Sequence, residues 1–213
     1  KIKPETLAAT HQLLSVAFLE NGTISLSKIR IDSTVVKSNI TPPSDSQLLN
    51  DSVRVLSRLL AKSQESTGLK IRFTDKRKSS KSLAFQIFNA KNTQKEALYP
   101  KLLKVVRVVI RQVELALSKV NEKCINSNKT LKWQADIEHY RTLLIKVIDQ
   151  TERRVINKEK VHSSEKIVSI FEEHTDVIVK GYREVLYGHK INLASDERGF
   201  ITYLALEKGN PGD

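Results

Sequence analysis

An α+β protein, mainly helical by residue count, is predicted by three observations. A β-branched stretch near the start, Ser27 to Ile40, alternates with period two. A long middle region then repeats its apolar residues at three- and four-residue intervals, and alternation returns after Gly181. The order divides the chain into 1–43, an N-terminal helix and first strand; 44–180, a helical insertion; and 181–213, a β-hairpin. A connection of more than a hundred residues with its own helices is a subdomain rather than a loop. The strands on either side of it must then meet in one sheet.

Residues 4 to 19 open at Pro4 and carry Leu7, Leu13, Leu14, Ala17 and Phe18 as a helical stripe, which Asn21-Gly22 terminates with a left-handed position. In the strand that follows, Ile29, Ile31 and Val35 share one face, and Arg30, Asp32, Thr34 and Val36 the other. Thr41-Pro42-Pro43 stops it, because proline cannot donate to a sheet ladder. Ser44 with Gln47 is a capping-box pattern for a helix faced by Leu48, Leu49, Val53, Leu56, Leu59 and Leu60. From Lys62 to Lys81 the chain turns polar and basic, and Gly68 with its serines predicts a loop, with Phe73 able to pack or stack nearby.

Helix is expected again from Leu83 to Ala97, with a break or kink at Tyr99-Pro100. Leu102 to Val120 and Trp133 to Asn157 form two long amphipathic helices joined through Asn126-Ser127-Asn128, a short connection of the kind that sets helices antiparallel. His189, Ile191 and Leu193 then alternate along a strand, and Phe200 to Leu206 makes another. Ser195 to Gly199 is the hairpin loop, with its glycine late.

Composition bounds the function. Lys and Arg exceed Asp and Glu by enough to give a formal net charge of +12, which points to a polyanionic partner, nucleic acid first. The basic residues are spread over several elements, which disfavours a membrane surface; simple solubility is the plainer account. A single cysteine, Cys124, excludes an internal disulfide and fits a reducing cytoplasm. With seven glycines in the chain there is no P-loop or dinucleotide fingerprint, and no apolar run approaches the roughly 20 residues of a membrane span. The absence of methionine, even at position 1, and the closing Gly-Asn-Pro-Gly-Asp suggest an internal stretch of a longer protein.

Asp32 is the odd member of its strand. A carboxylate in a segment that reads as buried needs a cation or hydrogen-bond donors. One reading is a satisfied polar residue helped by Ser33 and Thr34, and the other is a metal ligand; composition does not choose. Ser33 and Thr34 have no Gly-x-Ser-x-Gly turn or paired base, so they read as partners of Asp32 rather than nucleophiles. His174 beside Glu172 and Glu173 fits no standard zinc spacing. His189 reads first as a hydrogen-bonded strand residue.

Three separated blocks carry a resemblance. Arg30-Ile31-Asp32-Ser33-Thr34-Val35-Val36 with Ser38-Asn39-Ile40, then Pro42, Ser44-Asp45 and Leu48-Leu49, resembles the first catalytic block of DDE-type insertion-sequence transposases, nearest the group catalogued as ISNCY. Glu165 to Glu172, His174-Thr175 and Lys180-Gly181 resemble the second block; Tyr187-Gly188-His189-Lys190 with Gly209 to Asp213 resembles the third. The resemblance implies a partial RNase H-like sheet with a large helical insertion between its first two strands. It implies Asp32 as the first acid of the Asp-Asp-Glu triad and a ligand of Mg²⁺, with the other two acids expected beyond residue 213. Two such cations, about 3.5–4 Å apart, activate the attacking oxygen and stabilise the leaving one in phosphodiester displacement. On this reading Lys76, Arg77, Lys78 and Lys81 contact DNA, Ser33, Thr34 and His189 support Asp32, and this stretch alone is catalytically incomplete. A homodimer is compatible with the long helices. The reading from a different class is a non-catalytic, basic helical module that binds DNA or dimerises, and a plain helical scaffold is the third.

Overall fold

The computed structural model describes residues 3–123, 125, 127–180, 184–207 and 209. In chain order these are α1 (Pro4–Glu20), β1 (Ile29–Lys37), α2 (Asp45–Ala61), α3 (Ser63–Thr67), α4 (Arg77–Asn89), α5 (Asn92–Glu122), α6 (Asn128–Thr151), β2 (Asp176–Lys180), β3 (Glu184–Asp196) and β4 (Ile201–Leu206). A π-helical turn (Glu152–Ile156) follows α6 and a single 3₁₀ turn (Ser163–Glu165) comes later. The chain separates into two units, one of residues 1–39 with 175–213 and one of residues 40–174.

The first unit is an antiparallel sheet built on β3. β1 pairs along one edge of β3 from Ile29↔Asp196 to Lys37↔Gly188. β2 and β4 share the other edge, β2 along residues 184–188 and β4 along residues 191–195. A bulge between Ala194 and Ser195 interrupts the β3–β4 ladder just before the hairpin. The hairpin turn is held by Asp196, whose carboxylate accepts from the backbone N–H groups of Ser25 (3.2 Å), Arg198 (3.0 Å) and Phe200 (2.9 Å). Burial pushes this carboxyl upward, but the three N–H donors and the Arg198 guanidinium outweigh it and hold it below the ordinary range. Gly199 supplies the left-handed position at φ +87°, as the sequence predicts.

Gly188 is present for a different reason. A Cβ built on it would lie 2.1 Å from the Val36 carbonyl oxygen and 2.9 Å from the Lys37 Cα. The close approach of β1 to β3 at this point therefore excludes any side chain. One residue further along, the Ser38 N–H donates to the Tyr187 carbonyl at 2.9 Å and the Thr175 hydroxyl to the Ser38 hydroxyl at 2.8 Å. The chain thus leaves the sheet after β1 and re-enters before β2 at neighbouring points.

The second unit is organised around α2. Ser44 caps it, accepting from the Gln47 N–H at 3.2 Å, while the Gln47 side chain turns outward to Asp51. The leucine face predicted for α2 is buried: Leu48, Leu49, Val53, Leu56 and Leu60 meet Leu102, Val106, Val109 and Val113 of α5 and Trp133, Ile137, Leu144 and Val147 of α6 in one core. The Trp133 indole N–H donates to the Leu59 carbonyl at 2.8 Å, pinning α6 to α2. At the start of α2, the buried Asp45 accepts from Gln150 (2.8 Å) and Arg154 (3.0 Å), so its charge is compensated. Beside it Tyr99 has its phenol raised by burial and by the Asp45 carboxylate, against hydrogen bonding with Ser46.

Three expectations change. Pro100 does not break the chain: α5 runs through it, and the interruption falls at Ala90 and Lys91, both extended (ψ 149° and 156°). Burial of Tyr99, Leu102 and Leu103 on either side of Pro100 outweighs its lost hydrogen bond. The predicted basic loop is partly helix, since α3 ends at Gly68 and α4 begins at Arg77; Phe73 packs on the core. The insertion is not helical to its end, because β2 lies within 44–180 and pairs with β3. α5 and α6 pack in one core, which α2 shares. Cys124, Asn126, Gly181 and 210–213 lie outside the described residues.

Candidate functional site

Two places concentrate chemistry, one in each unit. In the sheet unit it is the middle of β1, where Asp32 lies opposite Leu193 of β3. Opposed residues share a face of the sheet. Asp32 is therefore grouped with Arg30, Thr34 and Val36 of β1 and with His189, Ile191, Leu193 and Ser195 of β3. Its carboxylate is not buried: the side chain is 69% exposed and Ile31 beside it 79% exposed. The premise of a desolvated carboxylate is thus overturned, since apolar alternation in β1 does not here mean a covered strand. The local partners are few. The Ser33 N–H donates to Asp32 Oδ1 at 2.8 Å, and Arg30 Nη2 lies 4.0 Å from Oδ2.

The expected supporting residues divide. Ser33 reaches Asp32 through its backbone, while its side chain is buried on the opposite face. Thr34 shares the face of Asp32, but among the described residues it makes no hydrogen bond to it. His189 also shares that face, yet it stands opposite Val36, four positions from Leu193 along β3. That separation is roughly 13 Å along a strand, beyond hydrogen-bond reach. His189 is thus not brought to Asp32. Among the described residues no group of three or more His, Cys, Asp or Glu is placed to hold a metal ion. Asp32 alone therefore does not make a two-cation site. Elsewhere His174 meets Glu172 at 3.3 Å, whereas Glu173 turns to His139 at 2.9 Å, so the three neighbours do not converge.

In the helical unit, the predicted cationic residues gather at the start of α4. Lys76 is its N-cap residue, Arg77 and Lys78 open the first turn, and Lys81 lies one turn on from Arg77. Arg77, Lys78 and Lys81 are exposed. Arg77 is bidentate to Asp75, with Nε 3.0 Å from Oδ1 and Nη2 2.7 Å from Oδ2; this hydrogen bonding holds the Asp75 carboxyl below its usual range. The helix adds two residues that sequence analysis passed over. Arg54 and Arg58 of α2 line the same cleft as Arg77 and Lys81. Their spacing of four, opposite the leucine face, was the available signal. No helix of the described residues is long and apolar enough to cross a membrane.

The architecture is thus an α+β chain: a four-stranded antiparallel sheet with an exposed strand aspartate, and a basic helical unit contributed by the residues between β1 and β2. No family model, curated protein or solved structure matches the chain.

Proposed function

We propose that this chain is part of a DDE-type DNA transposase, a cytoplasmic enzyme that cuts and joins insertion-sequence DNA with Mg²⁺, and that Asp32 is its first catalytic carboxylate. The observation that carries the reading is the position of Asp32: central on β1, exposed, with β1 laddered to β3 and the β3–β4 hairpin beside it. A first acidic strand with an adjacent antiparallel hairpin is how an RNase H-like core begins, and the helical unit enters the chain directly after β1. β2 is an addition to that pattern. Asp32 would furnish one carboxylate to the metal site, and the other acids would come from outside the described residues. The net charge of +12 and the cationic start of α4 supply the DNA contact.

Two measurements test this. Duplex DNA binding, followed by fluorescence anisotropy, is expected to weaken about 100-fold between about 50 and 200 mM salt if the α4 cluster neutralises about four phosphates. Binding that is absent or insensitive to salt overturns the DNA assignment. In a protein carrying this chain with its natural flanks, Asp32→Asn is expected to abolish Mg²⁺-dependent nicking. DNA binding should persist, and stability should stay within about 0.5 kcal/mol, because the side chain is exposed. Nicking at the parent rate reduces Asp32 to an ordinary strand residue and leaves a non-catalytic DNA-binding module.

A further inference from the structure

The cleft between α2 and α4 has a volume of about 450 Å³ and mixes two kinds of lining. Arg54 and Arg58 from α2 face it together with Arg77 and Lys81 from α4, and on α4 the row continues into Phe85 and Phe88. Both rings are left in water, 69% and 78% exposed. Two uncovered phenylalanines a helical turn apart, next to four cations, form a patch that an occupant must satisfy chemically on both counts.

The cations are not all engaged. Asp51 stands 3.0 Å from Arg54, and Asp75 holds Arg77. Among the described residues no carboxylate pairs with Arg58 or Lys81. The Arg54 Nε is buried and has no hydrogen-bond partner among the described residues. The same guanidinium lies over Phe171, its carbon 5.8 Å from the ring centroid, so Arg54 is engaged on the protein side and leaves Arg58 and Lys81 as the cleft's available cations.

A duplex offers phosphates but keeps its base faces stacked internally. An acidic peptide offers carboxylates, but flat faces only where it also carries aromatic side chains, whereas every base has one. An unpaired strand offers both, with phosphates for the cations and open base faces for the aromatics. We propose that this cleft binds an unpaired stretch of DNA, with Arg58 and Lys81 on its phosphates and Phe85 and Phe88 stacking on its bases. The assignment rests on the DNA-binding reading above and narrows it to a strand-selective site in the helical unit.

The test compares the parent chain with Phe85→Ala/Phe88→Ala and with Arg58→Ala/Lys81→Ala, using a labelled single strand of about 15 nucleotides and the matching blunt duplex. The rings are exposed, so the first variant keeps its fold, and emission from the single buried Trp133 checks this. Removing the rings is expected to weaken single-strand binding about 10-fold or more while duplex binding stays within about twofold. Removing the two cations is expected to lower the single-strand salt slope by about 1.4. Parent-like single-strand binding without the rings overturns this inference and leaves duplex binding standing. Equal loss on both DNAs overturns it as well, because the rings would then be acting through packing. No binding to either DNA removes this inference together with the reading it rests on.

Discussion

Replacing Gly188 with alanine perturbs the one place where β1 and β3 approach too closely for a side chain. The added methyl would sit 2.1 Å from the Val36 carbonyl oxygen, where ordinary contact begins at 3.4 Å. The obstacle is backbone, and Val36 and Lys37 are held in the β1–β3 ladder. No rotamer change relieves it, so the two strands must separate by more than an ångström at the end of their pairing. Overpacking of a rigid site costs about 2–3 kcal/mol. Native-state hydrogen exchange is the suitable assay, because Trp133 reports only on the helical unit and the penalty falls on the sheet. Amides of β1 and the facing half of β3 are expected to lose protection roughly 30- to 150-fold, at about 1.4 kcal/mol per tenfold, while amides of α2 and α5 are unchanged. Because β1 carries Asp32, the variant should also displace the proposed catalytic carboxylate. Unchanged protection along β1 would show that the strands yield without cost, and the close-approach argument for this glycine would fail.

Two further substitutions probe one unit each. The depressed Asp196 carboxyl contributes stability that is present above the unfolded value near about pH 3.9 and is lost as pH falls through the lower folded value. Asp196→Asn is therefore expected to destabilise the sheet at neutral pH and to remove this group's share of its acid sensitivity, read by thermal melts from about pH 7 to 2.5; an acid limb identical to the parent's contradicts the assignment. Trp133→Phe deletes the donor to the Leu59 carbonyl inside the core and is expected to cost about 2 kcal/mol in urea unfolding followed by far-UV circular dichroism; an unshifted midpoint removes the role given to that bond.

Local chemistry accounts for much of the fold. The alternation of residues 29–37, the Ser44 cap, the leucine face of α2 and the late glycine of the β3–β4 turn all depend on neighbours within a few positions, and each was legible in the residues alone. Asp32 was also legible as the conspicuous carboxylate of its strand. Its exposure was not, because alternation says which residues share a face and says nothing about whether that face is covered. β2 is not legible because residues 176–180 are a short apolar run that periodicity alone does not assign; pairing with residues 184–188 of β3, close by in the chain, makes it a strand. Tyr99-Pro100 reads as a break or kink because the local rule is a real cost; only the core contacts of Tyr99, Leu102 and Leu103 decide that the helix continues. The cleft residues needed the fold most of all. Arg58 and Phe88 belong to different helices, and tertiary packing alone brings their charge and ring to one surface.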